Sequence, residues 1–429
     1  MANLAINGGK PAVQNLAPYI SMGEEEIEAV TKVMRSGCIS KFLGAWGPDF
    51  FGGENILAME AAWSQKFNCQ YSVSVNSASS GLFAAVGAVG VGPGDEVIVP
   101  PYTMSATAMA PLIYGGIPVF VDIEPETFCL DPVKVKAAIT PRTKAIIAVN
   151  LFGHPARLAE LRALADQHKI KLIEDNAQGP LATESSRFAG TIGHIGVFSL
   201  NYHKHIHTGE GGVCTTDDKE LALRLQMIRN HAENAVDPAG IEDLTNLVGY
   251  NYRMTEIGAA IGLEQLKKAD TLVDSREKIA NQLTQALSGL TGITPPVVRT
   301  DCRHVYYTWC MRYDATATGV SRKVFCEALK AEGLPIFEGY VKPLYLLPVF
   351  QKRIAIGGKG FPFDLTERTY QKGLCPVTER MHEQELIGVS VCSYALPQSE
   401  LDQVIDGITK VYKNRSELTQ IARQEVLAK

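Results

Sequence analysis

A lysine, Lys204, sits in the run FSLNYHKHIHTGEGG (residues 198–212), downstream of an acidic pair in EDNAQ (174–178). A lysine that opens a glycine-rich turn, paired with an upstream Asp175, suits a carbonyl cofactor that needs a Schiff-base amine and a partner for a ring nitrogen. Pyridoxal phosphate is the cofactor this pairing implies. A free lysine with pKa ~10.4 is almost wholly protonated near neutrality, so a site that uses Lys204 as a base must depress that value.

Other residues can be placed around this pair. If Leu172–Ile173 is a buried strand, Glu174 and Asp175 lie at its carboxyl end, where open α/β sheets bind ligands; the plainer reading is that they cap the next turn. The segment NSASSGLF (76–83) follows a β-branched run and opens a helix. That placement offers backbone N–H groups and the hydroxyls of Ser79 and Ser80 to a phosphate, with ordinary N-capping as the competing reading. His203, His205 and His207 raise a rival chemistry. On an extended backbone the three imidazoles share one face and Lys204 takes the other, which is a possible three-histidine zinc site. Zinc binding leaves Lys204 and EDNAQ without a role, and the glycines after His207 favour a turn over a strand, so no stoichiometric metal is expected.

The elements that must position these residues show as alternation. Short β-branched runs at Val73–Val75, Glu96–Val99, Val119–Val121, Ala145–Val149 and Leu172–Ile173 are separated by helical patterns at 78–90, 104–114, 131–139 and 155–168. Continuous apolar strands between helices predict a mainly parallel sheet buried on both faces. VFSL (197–200) and GGVCTT (211–216) add strands beside Lys204. Upstream, Ser21 and Glu24 have capping-box spacing, and Ile27, Val30 and Met34 recur on one face of a helix that Gly37 stops. Residues 38–55 carry Gly44, Gly47, Gly52 and Gly53 among Phe42, Trp46, Phe50 and Phe51, which predicts an ordered loop. A long helix is expected from near Met254 toward Leu287, after which GITPPV (292–297) marks a boundary. The division is then 1–55 for the N-terminal helix and loop, 56–288 for a large cofactor-binding domain, and 289–429 for a small α/β domain.

Bulk properties narrow the classes. At 429 residues two or three folding units are expected. The net charge of −5, with both signs spread along the chain, provides no basic surface for nucleic acid. Nine cysteines scattered singly read as reduced thiols. With no apolar leader and no apolar run of ~18 residues, the chain is expected to be cytoplasmic and off the membrane.

The motifs PPYTMSAT (100–107), IPVFVDIEPETFCLDP (117–132), LFGHPARL (151–158), EDNAQ, FSLNYHKHIHTGEGG and GYNYRMTEIGAA (249–260), in this order, resemble the sugar aminotransferases of the DegT/DnrJ/EryC1/StrS group, within fold type I of pyridoxal-phosphate enzymes. The resemblance runs from about residue 20 to the C-terminus and is densest between 71 and 260. It implies an aspartate-aminotransferase-like, three-layer α/β/α large domain with a smaller C-terminal α/β domain. By motif, Lys204 is the Schiff-base lysine, Asp175 the partner of the pyridine nitrogen and Gln178 a contact to the ring hydroxyl. Ala78, Ser79 and Ser199 touch the phosphate, and Asn251 reaches in from a second subunit, which implies a homodimer with shared active sites. The implied reaction moves an amino group from an amino acid, glutamate by resemblance, to a keto-sugar, nucleotide-linked or free; a keto-cyclitol or a sugar-acid aldehyde fits as well. Relatives with histidine at the lysine position dehydrate the sugar, and counting back from GEGG puts Lys204, not His205, there. A non-catalytic regulator would carry an appended DNA-binding helix-turn-helix, and none is visible.

Three departures bear on the acceptor. Met104 stands where the family has an aromatic ring over the cofactor, which exchanges stacking for a thioether contact. Tyr345, in VKPLYLLP, stands where many sugar aminotransferases have histidine. The 42–53 loop is longer than usual; it is expected either to help wall the acceptor pocket or to pack on the core.

Overall fold

The computed structural model describes residues 3–418. Seven strands build the main sheet: β1 (Tyr71–Val75), β2 (Glu96–Val99), β3 (Ile117–Phe120), β4 (Thr143–Val149), β5 (Lys171–Asp175), β6 (Ile195–Ser199) and β7 (Gly212–Thr216). Their order is β1-β7-β6-β5-β4-β2-β3. The pairs from β3 through β6 are parallel, and β7 alone runs antiparallel to both its neighbours, β6 and β1.

Side-chain alternation explains why these strands read as unbroken apolar runs. Successive residues point to opposite faces, and both faces are covered. Ile146, Leu172, Phe198 and Val213 enter one apolar core, together with Trp63 and Phe67 of the helix Glu54–Phe67. Their chain neighbours Ile147, Ile173, Val197 and Cys214 enter a second core, with Leu82 of the helix Ala78–Ala88 and Leu225 of the helix Lys219–Arg229. The result is a mainly parallel sheet buried on both faces, as the pattern predicts, in the three-layer α/β/α architecture that the resemblance implies.

A second sheet, antiparallel, orders Ile293–Thr294, Trp309–Tyr313, Leu386–Val389 and Ile336–Glu338. The helices Arg322–Ala331 and Gln398–Lys413 cover it through Phe325, Leu329, Val404 and Ile408. This third core also takes Leu4 and Val13 from the N-terminus, and Ile279, Leu283 and Leu287 from the end of the long helix Glu256–Leu287. That helix therefore ties the two sheets together: its earlier residues Leu266 and Leu272 belong to the first core.

Two local expectations need correction. The cap of the helix Glu24–Ser36 is Gly23, not Ser21: the Gly23 N–H donates to Glu26 at 2.7 Å. Its buried residues are Glu26 and Val33, while Ile27 and Met34 are exposed. The helix is turned so that Glu26 meets Lys268 and Gln265 of the long helix. Ion pairing and hydrogen bonding, not the apolar stripe, set its rotation.

The 42–53 loop is ordered and packs on the core. The Arg229 guanidinium lies 4.7 Å from the centre of the Phe42 ring, and Arg229 is itself neutralised by Glu60 at 2.6 Å. The Asn230 amide donates to the carbonyls of Leu43 and Phe50, at 2.7 and 3.0 Å. Phe50 is fully buried and meets Trp46 and Phe51 in tilted and edge-on contacts. Phe50→Ala should therefore cost about 3–5 kcal/mol of stability, the usual range for deleting a buried ring. Denaturant unfolding checks this; a loss below about 1 kcal/mol would mean the loop is not part of the core.

Candidate active site

The carboxyl ends of β5 and β6 lie side by side because these strands are parallel neighbours. Asp175 ends β5, Ser199 ends β6, and the chain between Ser199 and β7 carries the Lys204 turn. All three residues line one cavity of about 230 Å³, together with Ala78, Ser79, Met104 and Gln178. Asn251, the remaining predicted site residue, does not line it. Asn251 is exposed, and its side chain accepts from Arg253 Nε at 2.8 Å.

Asp175 is buried, and its two oxygens accept from Thr107 Oγ1 at 2.8 Å and from the Ala177 N–H at 3.2 Å. Burial raises its pKa, against the opposing pull of those hydrogen bonds and of Lys204. A desolvated carboxylate of this kind is poised to hold a proton on a ring nitrogen, since a cation there relieves the cost of its charge.

The Lys204 amine stands over the Tyr307 ring, 4.4 Å from its centre. Its pKa falls to about 8, chiefly through burial, with Asp175 pulling the other way and Arg276 adding to the fall. This is the depression that a lysine base requires. Gln178 is held at both ends: its Oε1 accepts from the Phe152 N–H at 2.7 Å and its Nε2 donates to the Tyr340 hydroxyl at 3.0 Å. One amide hydrogen remains for a ligand.

At the phosphate end, Ser77 caps the helix Ala78–Ala88, accepting from the Ser80 N–H at 3.1 Å. The Ser80 hydroxyl turns inward to Asn76 Oδ1 at 2.6 Å and the Ser77 carbonyl at 2.8 Å. It is therefore not a phosphate contact, contrary to the sequence reading, whereas Ser79 opens on the cavity. A Cβ at Gly212 would stand 2.8 Å from the Ala78 nitrogen, so only glycine lets β7 pass this helix end so closely. An amine, a buried acid, and a helix N-terminus where Ser79, with Ser199 from the end of β6, lines the cavity fit the three functional parts of pyridoxal phosphate.

The three histidines are not brought together. His205 is buried with Nε2 2.8 Å from the Val305 carbonyl, His203 opens on the cavity, and the His207 ring faces the Gly209 N–H. The chain bends through 202–206, so the alternation of an extended strand does not apply.

Tyr345 and the 42–53 loop, both left open by the sequence, pack away from the cavity. Tyr345 is fully buried, hydrogen-bonded to Glu379 and packed edge-on against Phe120; it braces the second core and does not line the cavity. None of residues 42–53 lines the cavity either, because Arg229 and Asn230 pin that loop elsewhere. In their place the cavity is lined by Tyr307 and Tyr340, which sequence reasoning missed, while Thr107 braces Asp175. Thr107 ends the PPYTMSAT motif and was in that sense legible; the two tyrosines come from distant segments with no local signal.

Residues 21–392 match the DegT/DnrJ/EryC1/StrS aminotransferase family. The spore coat polysaccharide biosynthesis protein SpsC of Bacillus subtilis (strain 168) is 34% identical over 351 residues, which is 80% of this chain and 86% of SpsC. GDP-perosamine synthase of Caulobacter vibrioides is 36% identical over 301 residues, 70% of this chain and 79% of that protein. Among solved structures, S. venezuelae DesV in complex with a ketimine intermediate superposes with a TM-score of 0.77 at 30% identity, covering 91% of this chain and 94% of DesV. A lysine and a buried aspartate facing one cavity at the carboxyl edge of such a sheet now have their context: the chain belongs to the DegT/DnrJ/EryC1/StrS family of pyridoxal-phosphate-dependent aminotransferases.

Proposed function

We propose that this aminotransferase moves an amino group from glutamate to the keto group of a nucleotide-linked sugar, in the making of an amino sugar for a polysaccharide. The observation that carries this reading is the Lys204 amine, depressed to a pKa of about 8, in the same cavity as the buried Asp175. Bound pyridoxal phosphate supplies the electron sink. Asp175 holds the proton on the ring nitrogen, and Thr107 and the Ala177 N–H fix its carboxylate. Lys204 carries the proton to and from the donor's α-carbon once it is released as a neutral amine. Ser79, Ser199 and the end of the helix Ala78–Ala88 hold the phosphate.

Lysine rather than histidine at position 204 favours amine transfer over dehydration, and similarity to the protein called GDP-perosamine synthase supports a nucleotide-linked acceptor. A homodimer with Asn251 completing the partner's site agrees with its exposure and its absence from its own cavity. Ile20, Ile27, Met34, Ile39, Leu43 and Leu57 are also exposed, large apolar side chains whose burial by a second copy would be favourable. A monomer at assay concentration by sedimentation would contradict the dimer. Nine free thiols, and no helix among the described residues long and apolar enough to cross a membrane, agree with work in the cytoplasm. The function is tested with glutamate and a panel of nucleotide-linked and free keto-sugars. An amino sugar should form together with 2-oxoglutarate from a nucleotide-linked member; turnover confined to keto-cyclitols or sugar-acid aldehydes would contradict the acceptor.

A further inference from the structure

Arg276, on the long helix Glu256–Leu287, is 5% exposed, and its Nη1 is buried with no hydrogen-bond partner among the described residues. Its Nη2 lies 3.5 Å from the carbonyl oxygen of Lys204 itself. Among the described residues no carboxylate bears on its charge; the groups that do are Cys392, Tyr19 and Tyr307. Buried guanidinium groups are ordinarily paired. This chain provides the contrast: the equally buried Arg229 has Glu60 at 2.6 Å. Leaving a cation unpaired and out of water is costly, and its field is weakly screened there.

We propose that Arg276 is a positioning residue whose unneutralised charge, held beneath the Lys204 turn, disfavours positive charge on the Lys204 nitrogen and keeps that nitrogen reactive near neutral pH. The inference rests on the reading of Lys204 as the cofactor-bearing lysine. The groups facing Lys204 come from four places. Asp175, at the end of β5, pulls toward the charged form. Tyr307 presents an uncharged ring. On the lysine's own turn, burial holds His205 neutral, partial desolvation at the cavity lowers the pKa of the more exposed His203, and both feel Arg276 as well. The exposed Glu210 lies at the cavity lining and bears on His203. With Asp175 facing the ring nitrogen of a bound cofactor, Arg276 is the buried side-chain cation beside the lysine turn, adding to the effect of burial on the lysine nitrogen.

The test loads the protein with pyridoxal phosphate and titrates the near-visible absorbance band of the lysine-bound cofactor against pH. Arg276→Gln should raise the titration midpoint by about one pH unit, a tenfold gain in proton affinity, and Arg276→Lys, which keeps the charge, should stay near the native midpoint. A second route leaves Arg276 in place: Cys392→Asp supplies the missing counter-ion and should also raise the midpoint. An unchanged midpoint in either Arg276→Gln or Cys392→Asp, with cofactor bound, overturns the proposal. A native protein with no band that Lys204→Ala removes would instead overturn the reading of Lys204 on which it rests.

Discussion

Lys204→Ala is expected to slow amine transfer by on the order of 10⁴ or more, the upper range for a positioned proton carrier, while leaving a folded protein. Both effects follow from one geometry. The amine is the group in the cavity that can take the proton from a donor's α-carbon at a pKa of about 8, so its loss leaves that step to water. Its burial is a cost in the folded state, and removing a desolvated amine with no ion-pair partner among the described residues should not lower the unfolding temperature. Single-turnover reaction of the loaded protein with glutamate measures the first effect and thermal unfolding the second. A rate within tenfold of the native value would remove Lys204 from the chemistry.

Asp175→Asn should separate catalysis from stability in the same way. Asparagine keeps the shape and can still accept from Thr107, but it carries no charge to hold a proton on the ring nitrogen. A loss of roughly 10²–10³ in the glutamate half-reaction is expected, the size typical of removing one preorganised electrostatic contact. The sign of the stability effect is opposite. Burial raises the Asp175 pKa, so near neutral pH its ionised form is disfavoured in the folded cofactor-free protein relative to the unfolded chain. Neutral asparagine removes that penalty, and the cofactor-free variant should melt no lower than the native protein. Equal loss of rate and folding would mean that Asp175 serves the core instead.

Much of this site was legible because its residues end strands. Asp175 and Ser199 terminate apolar runs, and parallel strands bring such ends to one edge, so a linear spacing became a spatial one. Ala78, Ser79, Gln178, Met104 and Lys204, named through the family resemblance, follow within a few residues of that edge and line the same cavity. Residues that reach the cavity from far along the chain left no such trace. Tyr307 and Tyr340 arrive from around the second sheet, and Arg276 lies beneath the lysine only because the long helix crosses there. Residue type left the outcome open where two fates share one chemistry. Tyr345 and Phe50 are large aromatic side chains near suggestive sequence, but both fill cores, and area burial alone does not say which surface an aromatic ring will meet. The rival reading of the three histidines required a strand, whose period of two would align them, whereas residues 202–206 form a turn and bends.

The measurement that bears most directly on the account is borohydride reduction of the protein loaded with pyridoxal phosphate, followed by digestion and mass mapping of the modified peptide. The account predicts one reduced cofactor per chain, attached at Lys204 within FSLNYHKHIHTGEGG. Attachment at another lysine, or a Lys204→Ala variant that still yields a stoichiometric covalent adduct, would contradict it.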